Sequence, residues 1–109
     1  MLGTAMLFLL GGCAPFFTST EDYASYRATR TANSLDERMQ ALRIYLDEHP
    51  EGAFASEVKS FYERAEPLYF EVRKSTIVGL RAYLEALPNG PHAEEARARL
   101  SALIRRESR

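Results

Sequence analysis

Apolar residues recur every three or four positions along most of this chain, which is the spacing of one face of an α-helix. The clearest stripe is formed by Leu35, Met39, Leu42 and Leu46. It predicts a helix from Leu35 to about Glu48, with the stripe turned towards a neighbouring element. No stretch alternates apolar and polar residues with the period of two that a half-buried strand requires. The pattern therefore predicts an all-α protein.

Caps and turn residues mark the ends of that helix and divide the rest of the pattern. Ser34 followed by Glu37 has the capping-box spacing of a helix start. Pro50 cannot continue the helix, and Gly52 allows the positive φ that we expect in a tight reversal. Four more helices are predicted: from Thr20 to Arg30, from Ala53 to about Lys74, from Ser75 or Thr76 to Leu87, and from His92 to about Arg105.

One proline falls inside a predicted helix. Pro67 either kinks one long helix or takes the first turn of a new one. We favour the kinked helix, because no Gly or Asn marks a full turn at this point.

The opening of the chain differs from the rest, because its first twenty residues carry no charged side chain. Met1 to Leu10 is an apolar run, shorter than the ~20 residues that span a bilayer, and it lacks a polar face. These properties are typical of the hydrophobic region of a signal peptide, which we assign to residues 1–12. Lys and Arg are missing before this run, so either translation starts upstream of Met1 or the signal is weak. We favour the upstream start.

The second half of the chain repeats part of the first. Residues 41–52 align with residues 79–90 at an offset of 38, and six of the twelve aligned positions are identical. The identical residues are Leu, Arg, Tyr, Leu, Pro and Gly, so the turn that ends the helix stays in register. Each unit therefore consists of a helix, a Pro/Gly turn and a returning helix. One such pair cannot bury its own apolar face, which predicts that the units stack side by side.

Composition and charge narrow the classes of function. A length of 109 residues fits one domain. The net charge of -1 provides no basic field, so we do not expect a nucleic-acid partner. The single cysteine cannot form an internal disulfide, and its position directly after an apolar run and two glycines calls for another explanation.

The residues around that cysteine, Leu10-Gly11-Gly12-Cys13, resemble a bacterial lipobox. The resemblance implies cleavage between Gly12 and Cys13, followed by lipidation of Cys13 as the first residue of the mature chain. In such lipoproteins the next residue influences sorting, and Asp at that position favours the inner membrane. Ala14 therefore implies anchoring in the outer membrane, on its periplasmic side.

The Tyr-Leu…Pro-x-Gly ending, followed by an Ala- and Leu-rich helix, resembles the tetratricopeptide-like repeats of bacterial envelope proteins. Such repeats occur in lipoproteins of the outer-membrane barrel-assembly machinery and in the periplasmic coordinator of the Tol-Pal system. The lipobox resemblance implies that residues 13–20, before these repeats, form a lipidated tether. The resemblance of the repeats implies a short solenoid of about five helices, paired as antiparallel hairpins, over residues 21–106.

No residues converge into a recognisable catalytic or metal site. His49 and His92 are the only histidines and occupy non-equivalent positions in the two units, so we expect turn or capping roles instead of metal ligation. The carboxylate pairs Asp36-Glu37 and Glu94-Glu95 lie in the first turns of helices, where they complement the helix dipole. No nucleophile elbow or phosphate loop is present. We therefore expect no catalytic residue, no metal and no cofactor.

Several aromatic residues are candidates for contact with a partner, because aromatic side chains on the concave side of a helical repeat can grip a peptide. These candidates are Tyr23, Tyr26, Tyr62, Tyr69 and Phe70.

The leading hypothesis is a non-enzymatic protein-interaction or scaffold module of the cell envelope, with a protein partner and a lipid anchor. One alternative is an accessory enzyme or ligand-binding protein that acts on cell-wall material. Another is a fragment of a larger helical-repeat assembly, because two units are fewer than the three usually needed. Self-association would cover the same exposed ends.

Overall fold

The structure, a computed structural model, describes residues 19–109. This part of the chain consists of five α-helices and contains no strand, which confirms the predicted all-α helical-repeat fold. The helices are α1 (Thr20–Thr31), α2 (Leu35–Glu48), α3 (Ala55–Arg73), α4 (Ile77–Ala86) and α5 (Ala93–Glu107).

Three of the five helices begin at a side-chain cap. The hydroxyl oxygens of Ser19, Ser34 and Thr76 each accept a backbone N–H three residues further on, at 3.0, 3.1 and 2.9 Å. These bonds satisfy donors that the first turn of a helix leaves without a partner. The carboxylate of Glu37 also accepts the backbone N–H of Asn33 at 3.1 Å, one residue before the partner of a standard capping box.

α3 is one continuous helix that passes through Pro67, so no new helix begins there. Proline has no N–H to donate, which removes one hydrogen bond of the helix ladder. Pro67 lies on the exposed side of α3. Beyond the middle of α3, Glu66 and Tyr69 contact Tyr83 of the following helix α4.

The helices form hairpins that pack side by side. Each helix packs against the next along the chain, and α2 also packs against α4. The core between them is made of twelve buried apolar or aromatic residues: Met39, Leu42, Tyr45, Val58, Tyr69, Phe70, Leu80, Tyr83, Ala86, Leu87, Ala93 and Ala96. Its three tyrosines are each at most 1% exposed.

The duplication seen in the sequence is reproduced in the backbone of the two turns. In the first turn, the N–H of Gly52 bonds the carbonyl of His49 at 3.0 Å, and in the second the N–H of Gly90 bonds that of Leu87 at 3.1 Å. The next bonds, from Ala55 to Gly52 and from Ala93 to Gly90, measure 3.1 and 3.0 Å. The two turns therefore share one geometry at the offset of 38 residues.

The glycine of each turn is required for space and not for a positive φ. No glycine among residues 19–109 has a positive φ, so the backbone conformation that we expected at Gly52 is wrong. A Cβ added to Gly52 would lie 2.5 Å from the hydroxyl oxygen of Tyr45, and one added to Gly90 would lie 2.7 Å from that of Tyr83. The tyrosine hydroxyl thus packs directly against the glycine, where a methyl group does not fit.

The structure describes no residue before Ser19, so the predicted signal peptide, the cleavage site between Gly12 and Cys13 and the lipidation of Cys13 lie outside the described residues. Within residues 19–109, no helix combines the length and the apolar character that are needed to cross a bilayer.

We predict that Gly90→Ala destabilises the fold by about 1–3 kcal/mol, because the new methyl group overlaps the hydroxyl of Tyr83. Chemical denaturation of the single variants and of the double variant with Tyr83→Phe measures this coupling. The alanine should cost less when the phenylalanine is present. Equal costs in both backgrounds would show that the hydroxyl is not the obstacle.

Candidate functional site

The first polar site of the fold is centred on the hydroxyl of Tyr45, near the end of α2. This hydroxyl donates a hydrogen bond to Oδ1 of Asp22 in α1, at 2.5 Å, and accepts one from the backbone N–H of Phe54, at 2.9 Å. The other carboxylate oxygen of Asp22 accepts the N–H of Ala53 at 2.8 Å. One tyrosine therefore joins α1, α2 and the start of α3.

A second site of the same design is centred on Tyr83, near the end of α4. Its hydroxyl donates to Oε2 of Glu66 in α3, at 2.5 Å, and accepts the backbone N–H of His92, at 3.0 Å. Tyr83 and His92 follow Tyr45 and Phe54 by 38 residues, as the repeat predicts. We call each of these arrangements a tyrosine junction.

The carboxylates of the two junctions do not follow the repeat offset. Asp22 precedes its tyrosine by 23 residues, whereas Glu66 precedes its tyrosine by only 17. The reason is hairpin length, because α2 has 14 residues and α4 has 10. In a shorter antiparallel hairpin, the residue opposite a given tyrosine lies closer to it along the chain.

Each junction also contains a pair of stacked rings. Phe54 stacks on Tyr26 with centroids 3.9 Å apart, and His92 stacks on Phe70 with centroids 4.4 Å apart. The interplanar angle is 9° in both pairs. Tyr26 follows the carboxylate residue Asp22 by four positions, and Phe70 follows Glu66 by the same number. One turn of helix therefore brings both the ring and the carboxylate to the junction.

The second junction has the residue types of a proton relay, since Nδ1 of His92 lies 2.8 Å from Oε2 of Glu66. In the first junction the position of His92 is occupied by Phe54. The tyrosine–carboxylate bond forms there as well, although the nearby ring of His49, 5.3 Å from that of Tyr45, makes no hydrogen bond to Asp22. The bonds of Tyr83 and Glu66 therefore serve to hold helix ends together. His92 is the residue directly before α5, but its side chain bonds Glu66 and does not cap the helix.

Burial and hydrogen bonding shift the pKa values of these groups. Burial raises the pKa of Tyr45 to about 12, and the bond to Asp22 adds to this effect. Burial and the bond to Glu66 likewise raise the pKa of Tyr83. For Asp22, burial alone would raise the pKa, but the bonds from Tyr45 and from the N–H of Ala53 outweigh it, so that the pKa is lowered.

A third polar cluster was not anticipated from the sequence. Asp36, which we expected only to complement the dipole of α2, receives two bonds from the guanidinium of Arg73, at 3.0 and 2.7 Å. It also accepts the hydroxyl of Tyr69 at 2.6 Å. Burial first, and this bond second, raise the pKa of Tyr69. The cluster ties the start of α2 to the end of α3.

A groove of about 330 Å³ opens between the first three helices. Its volume lies at the lower end of the range for ligand sites, enough for a few side chains of a peptide. The lining residues are Tyr26, Thr29 and Arg30 of α1, Arg38 and Leu42 of α2, and Glu57, Val58 and Phe61 of α3.

The groove combines an apolar floor with charged groups. Leu42 and Val58 are each 2% exposed and form its base, whereas Phe61 remains 40% exposed. Within residues 19–109, the guanidinium of Arg38 makes no hydrogen bond or ion pair, and that of Arg30 only contacts the hydroxyl of Tyr26 at 3.4 Å. The groove therefore offers cationic donors beside an apolar surface.

The five aromatic residues expected to contact a partner are not brought together. Tyr26 lines the groove, and Tyr23 is 51% exposed beside Phe54. Tyr62 is half-buried and lines a separate crevice near the second turn. Tyr69 and Phe70 are core residues, 1% and 3% exposed, so they offer no surface to a partner.

Sequence reasoning missed the other groove residues, above all Phe61 and Arg38. Phe61 lies on the broad apolar face of α3. The sequence pattern identifies this face, but it does not show that no helix covers the face at Phe61. Arg38 belongs to α2, where a solvated arginine is the ordinary expectation.

The part of the chain that the structure describes contains no group of three or more His, Cys, Asp or Glu side chains placed to hold a metal ion. Comparison with protein-family models, curated proteins and solved structures finds no match to this chain.

We predict that the fold loses stability at high pH as its junction tyrosines ionise. The pKa of Tyr45 is about 12 in the folded chain, above the ordinary value of about 10. Its contribution is therefore complete below pH ~10 and is lost as the pH rises through ~12. Urea denaturation from pH 9 to 12 measures the loss, which should be smaller in Tyr45→Phe. An identical pH profile in that variant would contradict the assignment.

Proposed function

We propose that this protein is a lipid-anchored, non-enzymatic interaction module of the bacterial cell envelope, held at the periplasmic side of the outer membrane. The anchor is a lipid on Cys13, after cleavage at the Leu10-Gly11-Gly12-Cys13 sequence. A diacylglyceryl group together with an amide-linked chain meets the requirement of two hydrophobic signals for stable attachment. The helical repeats bind an envelope protein and hold it near the membrane.

The observation that carries the interaction role is the groove between α1, α2 and α3. Phe61 presents a ring that is 40% exposed at this groove, and Arg30 and Arg38 line it as well. Exposed aromatic and arginine side chains are the residue types that contribute most to protein interfaces. A segment with an apolar side chain and a neighbouring carboxylate fits this arrangement, because it matches the floor and the guanidinium groups.

A non-enzymatic role is supported by the way in which the buried polar groups are used. The hydroxyls of Tyr45 and Tyr83 each donate to a carboxylate and accept a backbone N–H. No buried side-chain N or O atom in residues 19–109 is left without a hydrogen-bond partner. These buried groups are thus occupied in holding the fold.

The anchor and the module are close together along the chain. Ser19, the residue that caps α1, follows Cys13 by six positions, with five residues between them. Because an extended chain spans at most about 3.6 Å per residue, the start of α1 lies within about 20 Å of the lipidated residue. The partner is therefore expected to be a membrane protein or a protein held close to the membrane.

The anchor is tested by labelling cells that express the full chain with radioactive palmitate. The wild-type protein should take up the label and sediment with outer membranes, and Cys13→Ser should do neither. A matched Ser19→Ala variant should remain labelled, because the cap of α1 plays no part in lipidation. Label retained in Cys13→Ser would contradict the anchor.

The groove is tested by photo-crosslinking in cells. A benzoylphenylalanine in place of Phe61 should crosslink to a defined envelope protein, and one in place of Val72, which is 66% exposed on the same helix, should not. Adding Arg38→Glu should remove the crosslink at position 61, because it reverses the charge at the groove. Equal crosslinking at both positions, or none at position 61, would contradict binding in the groove.

A further inference from the structure

One side of α2 is a docking surface for α4. The guanidinium of Arg43 donates through Nε to the carbonyl of Ala86, the last residue of α4, at 2.8 Å. Gln40 borders a crevice that α4 lines on its other side, and Asp47 borders one that is closed by the turn after α4. Gln40, Arg43 and Asp47 thus form a stripe against which a neighbouring helix packs.

The repeat places a second stripe of this kind on α4. At the offset of 38 residues, the positions equivalent to Gln40, Arg43 and Asp47 are Val78, Arg81 and Glu85. We call these three residues the outer face of α4; Glu85 lies at its edge, because it also borders the crevice between α4 and α2. All three are exposed, and Val78 is 77% exposed, the highest value among the large hydrophobic residues in the described part of the chain.

The neighbouring helix extends this surface. Glu66 of α3 points at the following helix α4, where it bonds Tyr83. Its equivalent on α5, 38 residues later, is Ile104, an apolar residue that is 39% exposed. At the trailing end of the array, Ile104 therefore exposes an apolar side chain at the position where, one repeat earlier, Glu66 contacts the next helix.

The charged residues of the stripe on α2 form an ion pair with each other, whereas those of the stripe on α4 do not. Arg43 forms an ion pair with Asp47 at 3.2 Å. Arg81 and Glu85 keep the same spacing. Within residues 19–109, neither side chain has an oppositely charged N or O atom within 4.0 Å. An arginine and a glutamate one turn apart on a helix face are self-complementary, because an antiparallel second copy places each opposite the other.

A parallel, head-to-tail stack of copies is disfavoured by α1. In such a stack, α2 of the next copy would sit on the outer face of α4, and α5 would lie beside that α2. In each copy that place is already filled by α1, which packs on α2 through the junction of Asp22 and Tyr45. The arrangement left open is a closed, two-fold pair of copies.

From these observations we infer that the outer face of α4 is a homodimer interface, in which Arg81 of each copy pairs with Glu85 of the other across a two-fold axis. Val78 and Ile104 supply the apolar contact around these charges. This interface lies at the opposite end of the array from the groove, so the dimer presents two grooves at once. The inference depends neither on the lipid nor on a partner.

The test measures the oligomeric state of the full chain by sedimentation equilibrium in density-matched non-ionic detergent, over a series of protein concentrations. The wild-type protein should dimerise. Arg81→Glu and Glu85→Arg should each weaken dimerisation by roughly tenfold or more, because each sets like charges against one another twice. The exposed Arg27→Glu, at the other end of the array, should have no effect.

Charge exchange separates a direct contact from damage to the fold. The double variant Arg81→Glu/Glu85→Arg should recover dimerisation, and tagged Arg81→Glu should co-purify with untagged Glu85→Arg although neither pairs with itself. Circular dichroism spectra should match in all variants, because the substitutions are on the surface and leave the helices intact. A monomeric wild-type protein would overturn the inference. So would single variants that dimerise normally, or a failure of both the double variant and the mixture to recover binding.

Discussion

The fold depends on the burial of one phenol at the end of each repeated hairpin. A buried hydroxyl without partners costs free energy, so Tyr45 and Tyr83 each need an acceptor and a donor. The preceding helix supplies the carboxylate, and the residue directly before the following helix supplies the backbone N–H. Three consecutive helices are thereby fixed at one atom. The same hydroxyl explains the glycine of each turn, which leaves the space that the oxygen occupies.

The two ends of the array differ because the chain closes only one of them. At the leading end, α1 covers α2 and provides the carboxylate and the ring that the first junction needs. At the trailing end, Arg81 and Glu85 of α4 keep the charges and the spacing of Arg43 and Asp47, and no further helix covers them within the described residues. The groove arises near the leading end, where α1 and α3 leave Phe61 partly exposed beside arginine side chains.

Local signals in the sequence were sufficient for the helices, their caps and the duplication. Ser34 caps α2 as expected, Thr76 of the two candidates Ser75 and Thr76 caps α4, and α3 continues past Pro67 as favoured. The partners of the tyrosines were not predictable, because the register across a hairpin depends on its length, and Asp22 and Glu66 are not equivalent under the offset of 38. Burial of Tyr69 and Phe70 was missed for a related reason: periodicity identifies an apolar face but not the helix that will cover it.

The variable position of the carboxylate also bears on how such proteins diverge. A unit of this type can gain or lose a helical turn in both arms of its hairpin and still form its junction, provided that some acidic residue then lies opposite the tyrosine. Selection would therefore preserve the Tyr, Pro and Gly around the turn, while it lets the repeat length and the acidic position drift. Related arrays would then share little alignable sequence beyond those turns, and a search with a fixed period would pass over them.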